Sequence, residues 1–382
     1  MKIRYIFSSP EGDIPAEKAE LDMPFRVSPW ENHPFLSVRD YFDAIRHIVG
    51  RNNCEILLYI VNEEMGIDLK SDEIQEILIR SEKHGALYHL ASVQILSKQG
   101  EFKFSLSVAL SENSRAQLSR EFGILRSLHD SFKFSYLPRV FVFEEMAYQA
   151  EKGTEKFSIL LAEWFEDCHE WHISEGEDHL ERVRIWDLKR GHRFATELES
   201  FQIFKQASKI LALYYDAHSF KQIYPWHHAA GDFVIGTKGK QVSVRLTTAR
   251  DYSPIKVFLF EENVNPITAL VYFFLHLSIR MRLDKLDGVG NPVLAGPFSI
   301  KAVTEGYFEA LRRKEETDKS LLGDLDGHLS LLRSFTPREI LRLYGPLLDM
   351  YSHEDPEDFH TIEFGLENHI SLVHKALKEF RL

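Results

Sequence analysis

The chain has 382 residues and a net charge of −12, from 46 Lys and Arg against 58 Asp and Glu. That balance argues against nucleic acid or another polyanion as the main partner, and the length suits two domains or one two-lobed body at ~150 residues per domain. Cys54 and Cys168 are the only cysteines, too few for a disulfide framework or a Cys-rich zinc site, so a reducing, cytoplasmic setting is expected.

Residues 1–36 are rich in Pro and acidic groups, show little periodicity and read as an irregular arm. Too few apolar residues precede Pro10 and Glu11 for a signal-peptide core. Ser37 and Asp40 then form a helix start. Val38, Tyr41, Phe42, Ile45 and Ile48 follow at helical spacing, and Gly50 is the expected stop. Residues 55–65 and 71–80 read as two further helical pieces. From Ala86 the period changes. Leu87, His89, Ala91, Val93 and Ile95 alternate, Gln99-Gly100 makes a turn, and Phe102, Phe104, Leu106, Val108 and Leu110 alternate in a second strand with one apolar face.

Ser111 or Asn113 caps the next helix, in which Leu118, Phe122, Leu125 and Leu128 form one stripe. Pro138 breaks the pattern, and residues 139–143 and 157–164 read as two more strands. Beyond Asp167 the chain is expected to be mostly helical: 197–217, 267–281, 299–313, 337–350 and 367–380 carry helical stripes. A short hairpin of 233–235 and 242–246 turns at Gly236-Thr237-Lys238-Gly239. The most apolar run, Ile267 to Ile279, is about 13 residues against the ~20 a membrane span needs, so it reads as a core helix and no membrane partner is expected.

One segment gathers titratable groups: Trp226-His227-His228-Ala229-Ala230-Gly231-Asp232. His227 is a candidate base, because a free imidazole titrates near ~6.5. His228 and Asp232 together offer imidazole and carboxylate to a divalent ion. The structural alternative is a compact loop whose histidines bond backbone carbonyls. His169-Glu170-Trp171-His172 has histidines at i and i+3, the wrong spacing for a zinc-protease helix, and reads as a surface loop. Both thiols read as inert. Neither Gly-x-Gly-x-x-Gly nor Gly-x-x-x-x-Gly-Lys-Ser/Thr occurs.

The order strand, strand, helix, strand, strand, then helices, resembles the protein-kinase-like fold in its aminoglycoside phosphotransferase and choline kinase branch, over about residues 84–315. Val108-Ala109-Leu110-Ser111 resembles the strand that carries a phosphate-binding lysine. Arg120-Glu121-Phe122-Gly123-Ile124-Leu125 resembles the next helix, whose glutamate pairs with that lysine. Leu160-Leu161-Ala162-Glu163-Trp164-Phe165 is similar to the strand that enters the hinge and holds adenine. His228 to Ile235 stands where a catalytic loop belongs, and Glu305-Gly306-Tyr307-Phe308-Glu309-Ala310 looks like a late helix of the large lobe.

The resemblance implies an α+β, two-lobed, kinase-like fold: an arm and helical extension over 1–83, a small β-rich lobe over 84–166 and a mostly helical lobe over 167–382. It also implies ATP or another nucleotide, held with Mg or Mn, and a small-molecule substrate. In that scheme Asp232 holds the metal, with His228 and Asp251 as further ligands. His227 or His228 takes the acceptor proton. Ser111, Glu121, Glu163, Trp164 and Phe165 line the nucleotide. The departures are specific. Ser111 stands at the lysine position, and the catalytic aspartate falls on His227. The aspartate after the hairpin falls near Thr247, with Asp251 four residues on. Lys103 shares a strand face with Ser111 but stands roughly 26 Å away on an extended strand, so it serves the nucleotide only in a different alignment. Three readings follow: a divergent phosphotransferase, a catalytically inactive pseudokinase or binding module, and a metal-dependent hydrolase using His227, His228 and Asp232.

Overall fold

The computed structural model describes residues 2–9, 12–28, 31–85, 87–187, 190–238, 241–258, 264–317 and 324–382. Pro10, Glu11, Ala86 and Gly239 therefore lie outside the described residues. The fold is mixed α+β, with a sheet-rich N-terminal part and a helical C-terminal part. Two compact units divide the chain: Met1–Lys133 with Pro138–Glu166, and Phe134–Leu137 with Asp167–Leu382.

In the first unit the strands are β1 (Lys2–Phe7), β2 (Ile14–Pro15), β3 (Pro24–Ser28), β4 (Glu31–Ser37), β5 (Ile74–His84), β6 (His89–Ser97), β7 (Gly100–Ala109), β8 (Val140–Gln149) and β9 (Thr154–Glu163). Seven of them form one sheet in the order β2-β1-β5-β6-β7-β9-β8. Two expectations are corrected here. Residues 1–36 are not an irregular arm, because β1 pairs in parallel with β5 from Lys2↔Glu76 to Phe7↔Ser81. The Arg4 fork on Glu76, with both bonds at 2.6 Å, fastens the pairing. Nor is 71–80 helical: a 3-10 turn at Ser71–Glu73 leads directly into β5. Ile77 and Ile79 alternate onto the core face, and that burial outweighs the helical spacing of Ile74, Ile77 and Leu78.

The short helix α1 (Lys18–Leu21) precedes α2 (Val38–Tyr59), which starts at the expected Ser37–Asp40 capping box. α2 is interrupted at Arg51–Cys54, where Asn52, Asn53 and Cys54 hold positive φ, just past the expected stop at Gly50. Its Tyr41, Phe42, Ile45 and Ile48 pack with Ile77, Val93, Phe104, Leu106 and Ile159 in the main core of this unit. α3 (Glu112–Ser131) contributes Leu118 to a smaller cluster with Ala109 and Leu160, flanked by Phe122 and Phe143. Alternation along β7 explains this division. Even-numbered residues enter the main core, and odd-numbered ones, Lys103 and Ser105 among them, take the other face.

The second unit opens with strands rather than helices, a third correction. β10 (Cys168–Glu175), β11 (Glu181–Trp186), β12 (Arg193–Phe194), β14 (Phe233–Lys238) and β15 (Gln241–Leu246) make a five-stranded sheet, while β13 (Lys221–Ile223) pairs with β16 (Tyr252–Pro254). His169 to His172 thus lie on a strand, not in a surface loop, and Trp171 and His172 are buried. α4 (Glu197–Tyr214) is capped by Thr196 and crosses α6 (Phe298–Thr317) closely. A Cβ at Gly306 would stand 2.0 Å from the Lys205 carbonyl oxygen, so only glycine permits the crossing. α5 (Pro266–Arg280) is buried over most of its length. α7 (Leu325–Ser334), which the stripes did not reveal, α8 (Pro337–Glu354) and α9 (Pro356–Glu379) complete the helices. Among the described residues no helix is long and apolar enough to cross a membrane.

Candidate functional site

The loop before β14 is built from its own backbone outward. His227 Nδ1 accepts a hydrogen bond from Ala229 N at 3.0 Å, starting a 3-10 turn over His228–Ala230 that closes on Gly231 at φ 71°. The side chains then diverge. His228 Nε2 donates to the Met281 carbonyl at 3.0 Å, inside a cage of Trp171, Phe204, Trp226 and Phe233 rings. Burial pushes its pKa down to about 4, so the imidazole is neutral.

Asp232 is 1 % exposed and fully engaged. Its two oxygens accept from Arg250 Nη1 at 2.5 Å and Nη2 at 2.6 Å, and Oδ2 also accepts from His227 N at 2.8 Å. The bidentate guanidinium engages both carboxylate oxygens and compensates their charge. Asp251, the third expected ligand, accepts from Ser253 Oγ at 2.8 Å. His228, Asp232 and Asp251 thus address three different partners. Among the described residues no group of three or more His, Cys, Asp or Glu is gathered around a metal-sized point.

His227 points to the corner between α8 and α9. Its Nε2 lies 3.2 Å from Asp358 Oδ2, which also faces Arg280 Nη1 at 3.6 Å. Arg280 is 2 % exposed and pairs through Nη2 with Asp355 at 2.9 Å. Burial alone would raise the Asp358 pKa, but His227 and Arg280 hold it below the ordinary carboxylate value.

In the first unit, Ser111 stands at the start of α3. Its Oγ accepts from Ser114 N at 3.1 Å and caps α3. Glu121 is buried and accepts from Tyr88 Oη at 3.0 Å. Glu163 closes β9, its carboxylate accepting from Arg139 N at 3.2 Å and its carbonyl from Ser105 Oγ at 3.1 Å. Phe165, half-buried, follows the end of that strand.

Lys103 and Trp164 do come together. Lys103 Nζ sits 3.6 Å from the Trp164 ring centroid and 3.0 Å from Glu82 Oε1, which also accepts from Ser92 Oγ at 2.5 Å. Burial lowers the ammonium pKa against the opposing pull of Glu82. Glu82 and Ser92 were not anticipated, although strand alternation in β5 and β6 would have placed them opposite the apolar face.

A second cluster joins Glu170 and His172, expected in a surface loop, to Asp284, which the sequence did not single out. His172 and Asp284 are both buried, with Nδ1 3.6 Å from Oδ1, and Glu170 Oε2 lies 3.8 Å from Nε2. Burial lowers the His172 pKa, but the two carboxylates outweigh it and raise it to about 9. Asp284 in turn accepts from Ile173 N and Lys285 N, both at 2.8 Å. The chain matches no family model and no curated protein.

Proposed function

We propose that the protein is a catalytically silent binding module of kinase-like architecture, in which the loop at 226–232 has become structural. The order of strands and helix in β6, β7, α3, β8 and β9 supports the architectural part of this reading. One observation carries the functional part. Asp232, the only metal-competent carboxylate at the expected catalytic loop, is neutralised by the Arg250 fork. Phosphoryl transfer needs cations on the transferring group and a base near the acceptor. Here the carboxylate faces a guanidinium, and a neutral His228 lies sealed among aromatic rings.

A nucleotide would meet Lys103, the half-buried cation over Trp164 on the polar face of β7. ATP with MgCl2 or MnCl2 is expected to raise the melting temperature without being consumed. Ligand at a hundredfold excess over Kd adds about 2.7 kcal/mol of stability to the native state. Phosphate release or phosphoryl transfer that Asp232→Ala abolishes would overturn the silent reading. Absence of any nucleotide-dependent shift would remove the nucleotide from it.

A further inference from the structure

The second unit also carries a cleft of about 450 Å³ where α4, α6 and the end of α9 meet, far larger than a single water requires. Typical small-molecule pockets are mostly apolar, whereas this one is lined chiefly by charge: Lys205, Lys301, Arg312 and Arg381 against Glu305, Glu309 and Glu379. The carboxylates are already matched. Lys205 pairs with Glu305 at 3.5 Å and with Glu309 at 3.1 Å, and Lys209 pairs with Glu309 from just outside the lining. Glu379 pairs with Lys375 at 3.9 Å.

That leaves three cations. Among the described residues Lys301, Arg312 and Arg381 have no carboxylate within 4.0 Å. Arg381 gives Nη1 only to the carbonyls of Lys378 and Phe380, at 3.0 and 2.9 Å. Unmatched positive charge thus collects in one concavity of a chain whose net charge is −12. The walls are set in advance. Gly306 locks the α4–α6 crossing, Phe380 stacks on Phe308 with centroids 4.8 Å apart, and Arg333 ties the end of α9 through the carbonyls of Leu377 and Phe380. Rigid walls spare a ligand the cost of ordering them.

We propose that this cleft binds a small polyvalent oxyanion, a compact molecule carrying phosphate or carboxylate groups, with the Arg312 and Arg381 guanidiniums and the Lys301 ammonium as its contacts. Planar guanidiniums match either group by paired N–H donors. Calorimetry and thermal shift with pyrophosphate and with citrate, each at fixed ionic strength, test it. Saturable binding of at least one anion is expected, weakened about tenfold or more in Lys301→Glu with Arg312→Glu. Added NaCl should weaken it further. Both residues are exposed; should the double reversal disturb folding, Lys301→Gln with Arg312→Gln gives the same comparison. Failure of both anions to bind saturably would overturn the proposal, and so would binding that neither double variant weakens.

Discussion

Two regions of the second unit bury an imidazole, and they leave it in different protonation states. In the loop at 226–232, His228 meets a carbonyl and four aromatic rings and is neutral, its pKa pushed down to about 4. On β10, His172 is buried to the same degree but meets Asp284 and Glu170, and its pKa rises to about 9. Desolvation acts against the charged form in both places. A carboxylate within ion-pair reach decides the outcome. The sequence points to the loop because its histidines and aspartate are neighbours in the chain. Yet the loop is tied to backbone and guanidinium, and the cluster with the perturbed, charged imidazole is assembled from residues over a hundred positions apart.

The loop side of this contrast breaks most sharply at Asp232. Removing one partner of a buried ion pair strands the other, at about 3–5 kcal/mol. Asp232→Ala is expected to lose about that much in urea unfolding, since Arg250 and His227 N both lose their acceptor. Asp232→Ala with Arg250→Ala should recover part of the loss, because the guanidinium that lost its bidentate carboxylate is gone. A single variant within 1 kcal/mol of the parent would mean that the fork does not hold the loop.

The two imidazoles should also pull the pH profile in opposite directions. His172 is raised above the unfolded value of ~6.5, so its contribution is complete below that pH and is lost as pH rises through about 9. The shift corresponds to about 3 kcal/mol. His228 is depressed, so its neutral form contributes above ~6.5 and the contribution is lost as pH falls through about 4. His276 and His328, pushed by burial down to about 3 and about 4, add to the acid side. Unfolding free energies at pH 6.5, 8 and 9.5 should therefore fall in the parent and flatten in His172→Gln. Equal alkaline slopes in the two proteins would remove the charged imidazole from the comparison.

Much of the fold was legible where one face is apolar over several turns or alternations. The capping box at Ser37, the alternation from Phe102 to Val108 and the stripe around Leu118 and Leu125 each correspond to an observed element. β10 was not legible because its alternation is short: Trp171 and Ile173 face one way, while His172 and Ser174, polar but buried, face the other. β1 was missed for a related reason, since its partner β5 lies some seventy residues on and only pairing stabilises the strand. The candidate site was legible as residue types but not as roles. Arg250 stands 18 residues from Asp232, and no local pattern distinguishes a carboxylate awaiting a metal from one already held by a guanidinium.

The smallest expected effect probes the His172 side from its neighbour. Gly288 sits at φ +75°, and a Cβ there would lie 3.0 Å from His172 Nε2 and 3.1 Å from Cδ2 and Cε1. The ring has little freedom to give way, since Trp186 meets it edge-on at 4.8 Å and Asp284 faces its other nitrogen. Gly288→Ala should therefore cost about 1–2 kcal/mol, partly from the left-handed backbone and partly from displacing the ring. The two parts separate by pH. Backbone strain is the same at pH 6.5 and 9.5, whereas a displaced ring loses its hold on Asp284 and shrinks the alkaline loss as well. A variant that is destabilised equally at both pH values would show that the imidazole tolerates the intrusion and keeps its hold on Asp284, so that the cost is backbone strain alone.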